Sequence, residues 1–403
     1  MRRSPLVVIF LTVFIDLVGF GIILPISPYL ARLFHASPFQ VGLLLSVYSL
    51  MQFLFSPLWG GLSDRIGRRP VILISLFGGG CSYLLFAFSN TLALLFISRA
   101  LAGIFGGNIS AAQAYIADVT TPAERSKGMG LIGAAFGLGF IFGPLIGGLL
   151  GKLGTTLGST PPLGMSFPAL GAAAICLSNF VFAFFVLKES LQKGSRTQDR
   201  SSRFKKISQQ LRRPLAGHLI FVFFLSGLAM AQMEAMLFPY VADVFHWSFE
   251  TASYGFAYVG VLMVIIQGYF IRKWMPKYGE RYLLSLGLGL FSLSLFGIAI
   301  STTVALMAIV MTILAVGNGL MRPPNLGMIS VLTPESEQGV ALGVTNSLAS
   351  LGRIIGPVFG GWFYEHISVH APFVFAGLLA LIAFLMVMRL YKKLPDKGHT
   401  VAH

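Results

Sequence analysis

Residues 60–70 read Gly-Gly-Leu-Ser-Asp-Arg-Ile-Gly-Arg-Arg-Pro, a short basic turn between two long apolar runs. Asp64 and the arginines Arg65, Arg68 and Arg69 fall where a helical hairpin leaves the bilayer. Apolar flanks of this length leave no soluble core for such a turn to decorate. The turn therefore reads as the cytoplasmic bend between two membrane helices, the side on which arginine and lysine gather.

The composition extends that reading to the whole chain. Of 403 residues, 55% are hydrophobic and 11% charged, and the mean hydropathy is +0.80. Soluble domains are about a quarter charged, so this is a polytopic membrane protein. A membrane helix takes ~20 mainly apolar residues, whereas barrel strands are short and alternate. The runs here are long and continuous, which predicts an all-α fold. Twelve spans are expected, roughly at 5–31, 39–62, 70–88, 91–118, 126–151 and 167–188, then 216–243, 250–271, 282–300, 303–330, 339–362 and 370–391. The first has no signal-peptide cleavage site and carries Asp16, so it is expected to be retained.

A formal charge of +15 invites nucleic acid as a partner, but the placement of the charges assigns them to topology. With both termini inside, the cytoplasmic ends and loops hold 24 lysines and arginines, nine of them between Lys188 and Arg213. The outer loops hold 2, Arg32 and Lys152. That bias is the positive-inside pattern, with the lipid bilayer and not nucleic acid as the partner. The polar segment from Lys188 to Pro214 reads as a linker with a possible surface helix near 203–212, its charge explained by topology or by contact with anionic lipid. The expected organisation is a six-helix half at 1–188, a cytoplasmic linker at 189–215, a second half at 216–391 and a cytoplasmic tail at 392–403. Cys81 and Cys176 lie inside spans without metal-ligand spacing, so they are expected to pack, and no metal site is predicted.

The halves repeat. Residues 139–148 read Gly-Phe-Ile-Phe-Gly-Pro-Leu-Ile-Gly-Gly and residues 352–361 read Gly-Arg-Ile-Ile-Gly-Pro-Val-Phe-Gly-Gly, an offset of 213 residues that also relates Gly130 to Gly343. Gly139, Gly143 and Gly147 share one helix face and permit close backbone approach, while Pro144 bends the span.

These strings carry a resemblance. Gly60, Leu62, Ser63, Asp64, Arg65, Gly67, Arg68 and Arg69 match in order the signature loop of the major facilitator superfamily of secondary transporters. Two six-helix repeats joined by a basic linker resemble its fold, in which the halves face each other across a central cavity. The likeness is to the twelve-helix drug/proton antiporters, and within them to the tetracycline/proton exporters. It covers the whole chain and is densest over 10–150. Asp16, followed by Gly19, Gly21, Pro25 and Pro28, resembles their helix-one motif. Arg99 with Gly103, Gly106 and Gly107 resembles their helix-four motif, linked to proton coupling. Gly139, Gly143, Pro144, Gly147 and Gly148 resemble their antiporter motif, with Gly352, Gly356 and Pro357 as the second copy. The resemblance implies an inner latch between Asp118 and the loop at Gly60–Arg69, with ordinary surface pairing as the alternative.

Intramembrane charges cost roughly 2.5–3.5 kcal/mol each on insertion scales, so they mark function by default. Asp16, Arg99, Glu234 and Arg353 stand near mid-span, and Arg322 nearer one end of its helix. Arg99 serves either proton coupling or a structural lock. Glu234 sits among Met230, Met233 and Met236, where burial disfavours a charged carboxylate. It serves either proton exchange or a bridge to Arg353. Gln232, Met233, Asn318 and Arg353 are candidates for a substrate cavity. Cys81-Ser82-Tyr83, Met263 and the acid-free run 283–300 stand where the tetracycline exporters carry acidic and histidine residues, so tetracycline is not the expected main substrate.

The expected function is proton-coupled export of small lipophilic or cationic compounds by a monomer in the bacterial inner membrane, with the proton gradient as energy source and no cofactor. Uptake of a metabolite or sugar is the alternative, and a non-transporting sensor a third. An enzyme is not expected, because His218, His246, His366 and His370 lie near span ends without catalytic or metal spacing. The chain has no phosphate-binding Gly-x-x-x-x-Gly-Lys-Ser/Thr loop, and the two-fold repeat suits alternating access better than a channel.

Overall fold

The computed structural model describes residues 5–120, 122–191, 209–334 and 337–394, and every regular element among them is helical. Expectations about residues 1–4, Thr121, 192–208 and 395–403 lie outside the described residues.

The chain falls into two compact units, Met1–Arg196 with Val241–Gly260, and Thr197–Tyr240 with Val261–His403. In the first unit α1 (Pro5–Leu33), α2 (Pro38–Ile66) and α3 (Arg68–Ala87) are followed by α4 (Leu92–Phe105) and α5 (Ile109–Val119). Next come α6 (Pro122–Leu157) and α7 (Phe167–Val186). α8 (Ala216–Phe245) and α9 (Phe249–Ile265) are each divided between the units. α10 (Ile271–Tyr278), α11 (Glu280–Ile300), α12 (Val304–Val331), α13 (Gln338–His366) and α14 (Ala371–Leu390) complete the second.

Eleven helical segments among the described residues are long and apolar enough to cross a membrane. α13 has the length of a twelfth, 29 residues, but Thr345, Asn346, Ser347, Ser350 and Arg353 dilute its apolar character. Large apolar side chains face outward from these helices, with Phe185 79% and Ile300 71% exposed. Surfaces of that kind fit hydrocarbon rather than water.

Local chemistry explains where the helices start and turn. Ser37 and Gln40 cap α2 reciprocally, Gln40 N–H donating to Ser37 Oγ at 3.4 Å and Ser37 N–H to Gln40 Oε1 at 2.9 Å. Thr91 caps α4 by accepting from Leu94 N–H at 3.3 Å, and Thr303 caps α12 in the same way from Leu306 N–H at 3.2 Å. Gly67 (φ 107°) and Gly279 (φ 82°) make the sharp turns into α3 and α11, a backbone region open mainly to glycine.

The repeated glycine string does the same work in each unit. A Cβ on Gly143 would lie 2.5 Å from the Gly21 backbone, so α6 presses directly on α1. A Cβ on Gly356 would lie 2.9 Å from Gln232 N and Leu228 O, so α13 presses on α8. Pro144 and Pro357 lie inside their helices one residue further on.

Two spans expected to be continuous are interrupted. A 3-10 turn, Gly106–Asn108, separates α4 from α5. A π-helical turn, Ile266–Phe270, joins α9 to α10, and Ile266 packs there with Leu283 and Leu320. Hydropathy cannot register such changes, because the composition stays apolar while the hydrogen-bond partner shifts by one residue.

Candidate functional site: a membrane-embedded carboxylate and a basic latch

The basic turn of the first unit converges on Arg68, which is 3% exposed. Its Nη1 donates to Asp64 Oδ1 at 2.5 Å and to Ser63 Oγ at 2.6 Å, and its Nε to Asp118 Oδ2 at 3.1 Å. α2, α3 and α5 are thereby joined through one guanidinium. Glu189, just beyond α7, completes the cluster by accepting from Arg68 N–H at 2.9 Å and Arg69 N–H at 3.2 Å. Its carboxylate thus caps the free donors at the start of α3, where the helix dipole favours negative charge. Ser190 Oγ donates to Asp118 Oδ2 at 3.1 Å. A side chain on Gly67 would strike Glu189. Arg69 Nη2 donates to Phe184 O at 2.6 Å, while Arg65 is exposed. Gly60 approaches α5, where an added Cβ would meet Ser110 Oγ at 3.7 Å.

Asp16 lies midway along α1 and faces a cavity bounded by Phe20, Tyr48, Ser75, Tyr83 and Phe105. The cavity's free volume is about 20 Å³, room for water and not for a drug. Asn108 Nδ2 donates to Asp16 Oδ2 at 3.2 Å, and Cys176 Sγ to Oδ1 at 3.7 Å. Neither donor is charged. Cys176, expected only to pack, shares its single S–H between Asp16 and Leu76 O, the latter at 3.3 Å. Its thiol is therefore a polar partner within the span, a role its apolar neighbours in sequence concealed.

Arg99 is 1% exposed and lies over the Tyr48 ring, 4.5 Å from its centroid. Its Nε and Nη1 have no hydrogen-bond partner among the described residues. The ring's quadrupole offsets part of the cost of the buried cation. Arg99 forms no ion pair with Asp16; Tyr83 feels the charges of both. Gly139 and Gly147 hold α6 against α1 behind this site, and Gly148 meets Ser253.

In the second unit Glu234 is half-buried on α8 and feels the cations Arg322 and Arg353. Among the described residues it makes no ion pair, so the bridge to Arg353 is not formed in this structure. Arg353 is exposed, and its Nη2 donates to Ser350 Oγ at 3.1 Å. Arg322 lies over Phe223, 5.8 Å from the ring centre. Gln232, 1% exposed, donates through Nε2 to Pro372 O at 2.8 Å and ties α8 to α14. Met233 is buried. Asn318 Nδ2 contacts Met230 Sδ at 3.7 Å and Met263 Sδ at 3.6 Å. Gly352 faces the Leu228 backbone.

At the end of the first unit away from the basic turn, Arg32 and Asp243 form a two-pronged ion pair, Nη1–Oδ1 at 2.6 Å and Nη2–Oδ2 at 2.8 Å. Tyr29 packs edge-on against Phe249 beside it. Neither this pair nor Glu189 was flagged by the sequence. Each joins residues more than a hundred positions apart, and no motif spacing points to such a contact.

Apolar helices of spanning length with a repeated helix-packing motif and buried polar groups between them describe a multi-pass membrane protein. Comparison with known proteins gives the family. The model of the Major Facilitator Superfamily matches residues 9–277 and 268–402, and the chain belongs to that superfamily. It is 30% identical to the class B tetracycline resistance protein of Escherichia coli, over 91% of this chain and 90% of that one. It is 27% identical to multidrug resistance protein 2 of Bacillus subtilis (strain 168), over 96% and 95%. Among solved structures it resembles the human organic anion transporter MFSD10, with a TM-score of 0.71, 26% identity, and coverage of 96% of this chain and 99% of that one.

Proposed function

We propose that this transporter exports small lipophilic or cationic compounds across a bacterial inner membrane in exchange for protons, by alternating access, as a monomer with both termini in the cytoplasm. The observation that carries the reading is Asp16, an acid in the middle of a span that faces a water-sized cavity and is met only by neutral donors. A carboxylate so placed is costly and has no cation to justify it structurally. It can hold a proton or release one as its surroundings change. Relatives named for tetracycline and multidrug resistance support export. Glu234, half-buried and electrostatically coupled to Arg322 and Arg353, is the second titratable group and the candidate substrate contact.

The domain organisation proposed for this cycle is two six-helix halves, 1–188 and 216–391, joined by the 189–215 linker. The latch at Arg68 opens and closes as the halves move. Asp64, Asp118 and the glycines of the turn serve that latch.

Transport by purified protein in liposomes tests the proposal. The panel is lipophilic cations, tetracycline, organic anions and sugars, each with and without a pH gradient. Uphill movement of a lipophilic cation with the gradient, abolished in Asp16→Asn, is the expected result. Transport of a sugar or organic anion indifferent to pH, with Asp16→Asn fully active, overturns it.

A further inference from the structure

We propose that Asn108 and Cys176 are positioning residues for Asp16, one donor on each carboxylate oxygen, and that the break between α4 and α5 exists to deliver Asn108. The inference rests on the reading of Asp16 as the proton site and names the groups that would set its behaviour.

The geometry of the break supplies the first half of the argument. An α-helix that tightens into a 3-10 turn leaves some of its carbonyls without their usual partners. Here side chains take them up. Trp59 Nε1 donates to Ile104 O at 2.5 Å, and Gln52 Nε2 donates to Gly106 O at 2.8 Å. Ser110 Oγ donates to Gly107 O at 2.9 Å and also reaches Ser56 O at 3.1 Å. The turn is therefore stitched to α2 on both sides. Gly106 and Gly107 are required by it, since a Cβ on the first would lie 2.7 Å from Tyr48 Oη and on the second 2.7 Å from Trp59 Cδ1. A break held this firmly ends on Asn108, and Asn108 ends on Asp16.

The chemistry of the cradle supplies the second half. An ionised carboxylate only accepts, so an amide N–H on one oxygen and a thiol S–H on the other both favour that form. A protonated carboxyl gives up one acceptor position to its own O–H. The oxygen that carries the proton becomes the poorer acceptor, so the donor on it is weakened and can turn away, Asn108 by rotating its amide or Cys176 by directing its thiol wholly to Leu76 O. When Asn108 is the donor that turns, protonation becomes a mechanical signal at the α4–α5 break. Among the described residues the other titratable groups around Asp16 are Tyr48 on α2, Tyr83 on α3 and Arg99 on α4, while α6 packs against α1 there through Gly139 and Gly143. Asn108 and Cys176, which can rotate without changing their charge, are the adjustable part of the cradle.

Reaction with dicyclohexylcarbodiimide, which modifies protonated carboxyls in membranes, reads the state of Asp16 without any substrate. Labelling of Asp16 is followed by peptide mass spectrometry against pH in wild type, Asn108→Ala, Cys176→Ala and Cys176→Ser. Removing either donor should ease protonation, moving the labelling midpoint about three- to tenfold in proton concentration toward alkaline pH. Cys176→Ser, which keeps a donor, should stay near wild type. Glu234 in the other unit is the internal reference and should not move. Unchanged Asp16 midpoints in both alanine variants overturn the proposal, as does an equal shift of Glu234, which would report a general loosening. Gradient-driven transport by Asp16→Asn would instead defeat the proposed function, and the labelling shift would stand apart from it.

Discussion

Arg68 shows how much one side chain can organise. Its guanidinium reaches Ser63, Asp64 and Asp118, and its backbone N–H reaches Glu189. Arg68→Ala would leave two carboxylates facing each other without their cation. Turnover in liposomes should fall at least about tenfold while expression and size-exclusion behaviour are kept, because the helices' apolar packing is untouched. Wild-type turnover by well-expressed protein would reduce the cluster to a topology marker. Gly143 answers a different question. Its missing Cβ would lie 2.5 Å from α1 backbone, which cannot yield as a side chain can, whereas Gly133 has open space around it. Gly143→Val should cost upward of about 1–3 kcal/mol and lower the melting temperature by several degrees, with Gly133→Ala neutral. Thermal unfolding in detergent reads both. At this scale Asp16, Arg99 and the basic turn were legible in the sequence, because charge inside an apolar run is conspicuous. Asn108, Cys176 and Glu189 were not, since their meaning lies in partners far away along the chain that leave no periodic trace.

Helices were the most legible elements, because length and hydropathy together fix a span. Their ends moved by a few residues, and α13 has the length of a span without the apolar character of the other eleven. The 3-10 break and the π turn stayed hidden, because glycine is common in membrane helices and does not by itself signal an interruption. Between elements, the Arg32–Asp243 pair joins the end of α1 to the end of α8. An arginine fork on a carboxylate is geometrically demanding, so its contribution should follow the charges more than the positions. Arg32→Asp alone should change the transport rate severalfold by placing two carboxylates together. The exchange Arg32→Asp with Asp243→Arg should recover most of it. In a separate variant, Arg32→Cys with Asp243→Cys, a disulfide between the two positions should arrest transport until it is reduced. Failure of the charge exchange to recover transport, together with full activity of the oxidised double-cysteine variant, would show that this contact does not gate the cycle.

For the whole molecule, the internal repeat at an offset of 213 residues was legible from ten residues, and its packing role recurs in both units. What could not be read was how α8 and α9 divide between the units, because a contact boundary inside a helix has no composition of its own. The distribution of basic residues bears on orientation. In a background with Cys81 and Cys176 replaced, a cysteine at Thr155 should react with an impermeant reagent in intact cells, and one at Ser195 should not. Labelling of 195 with 155 spared would invert the topology. The central claim, that transport is driven by protons through Asp16, is tested most directly by watching the protons. Liposomes loaded with a pH-sensitive dye receive a gradient of a lipophilic cation that the protein transports. Wild type should move protons against the cation's flow, and Asp16→Asn should move cation without protons or neither at all. Proton movement by Asp16→Asn at the wild-type ratio to cation would contradict the account.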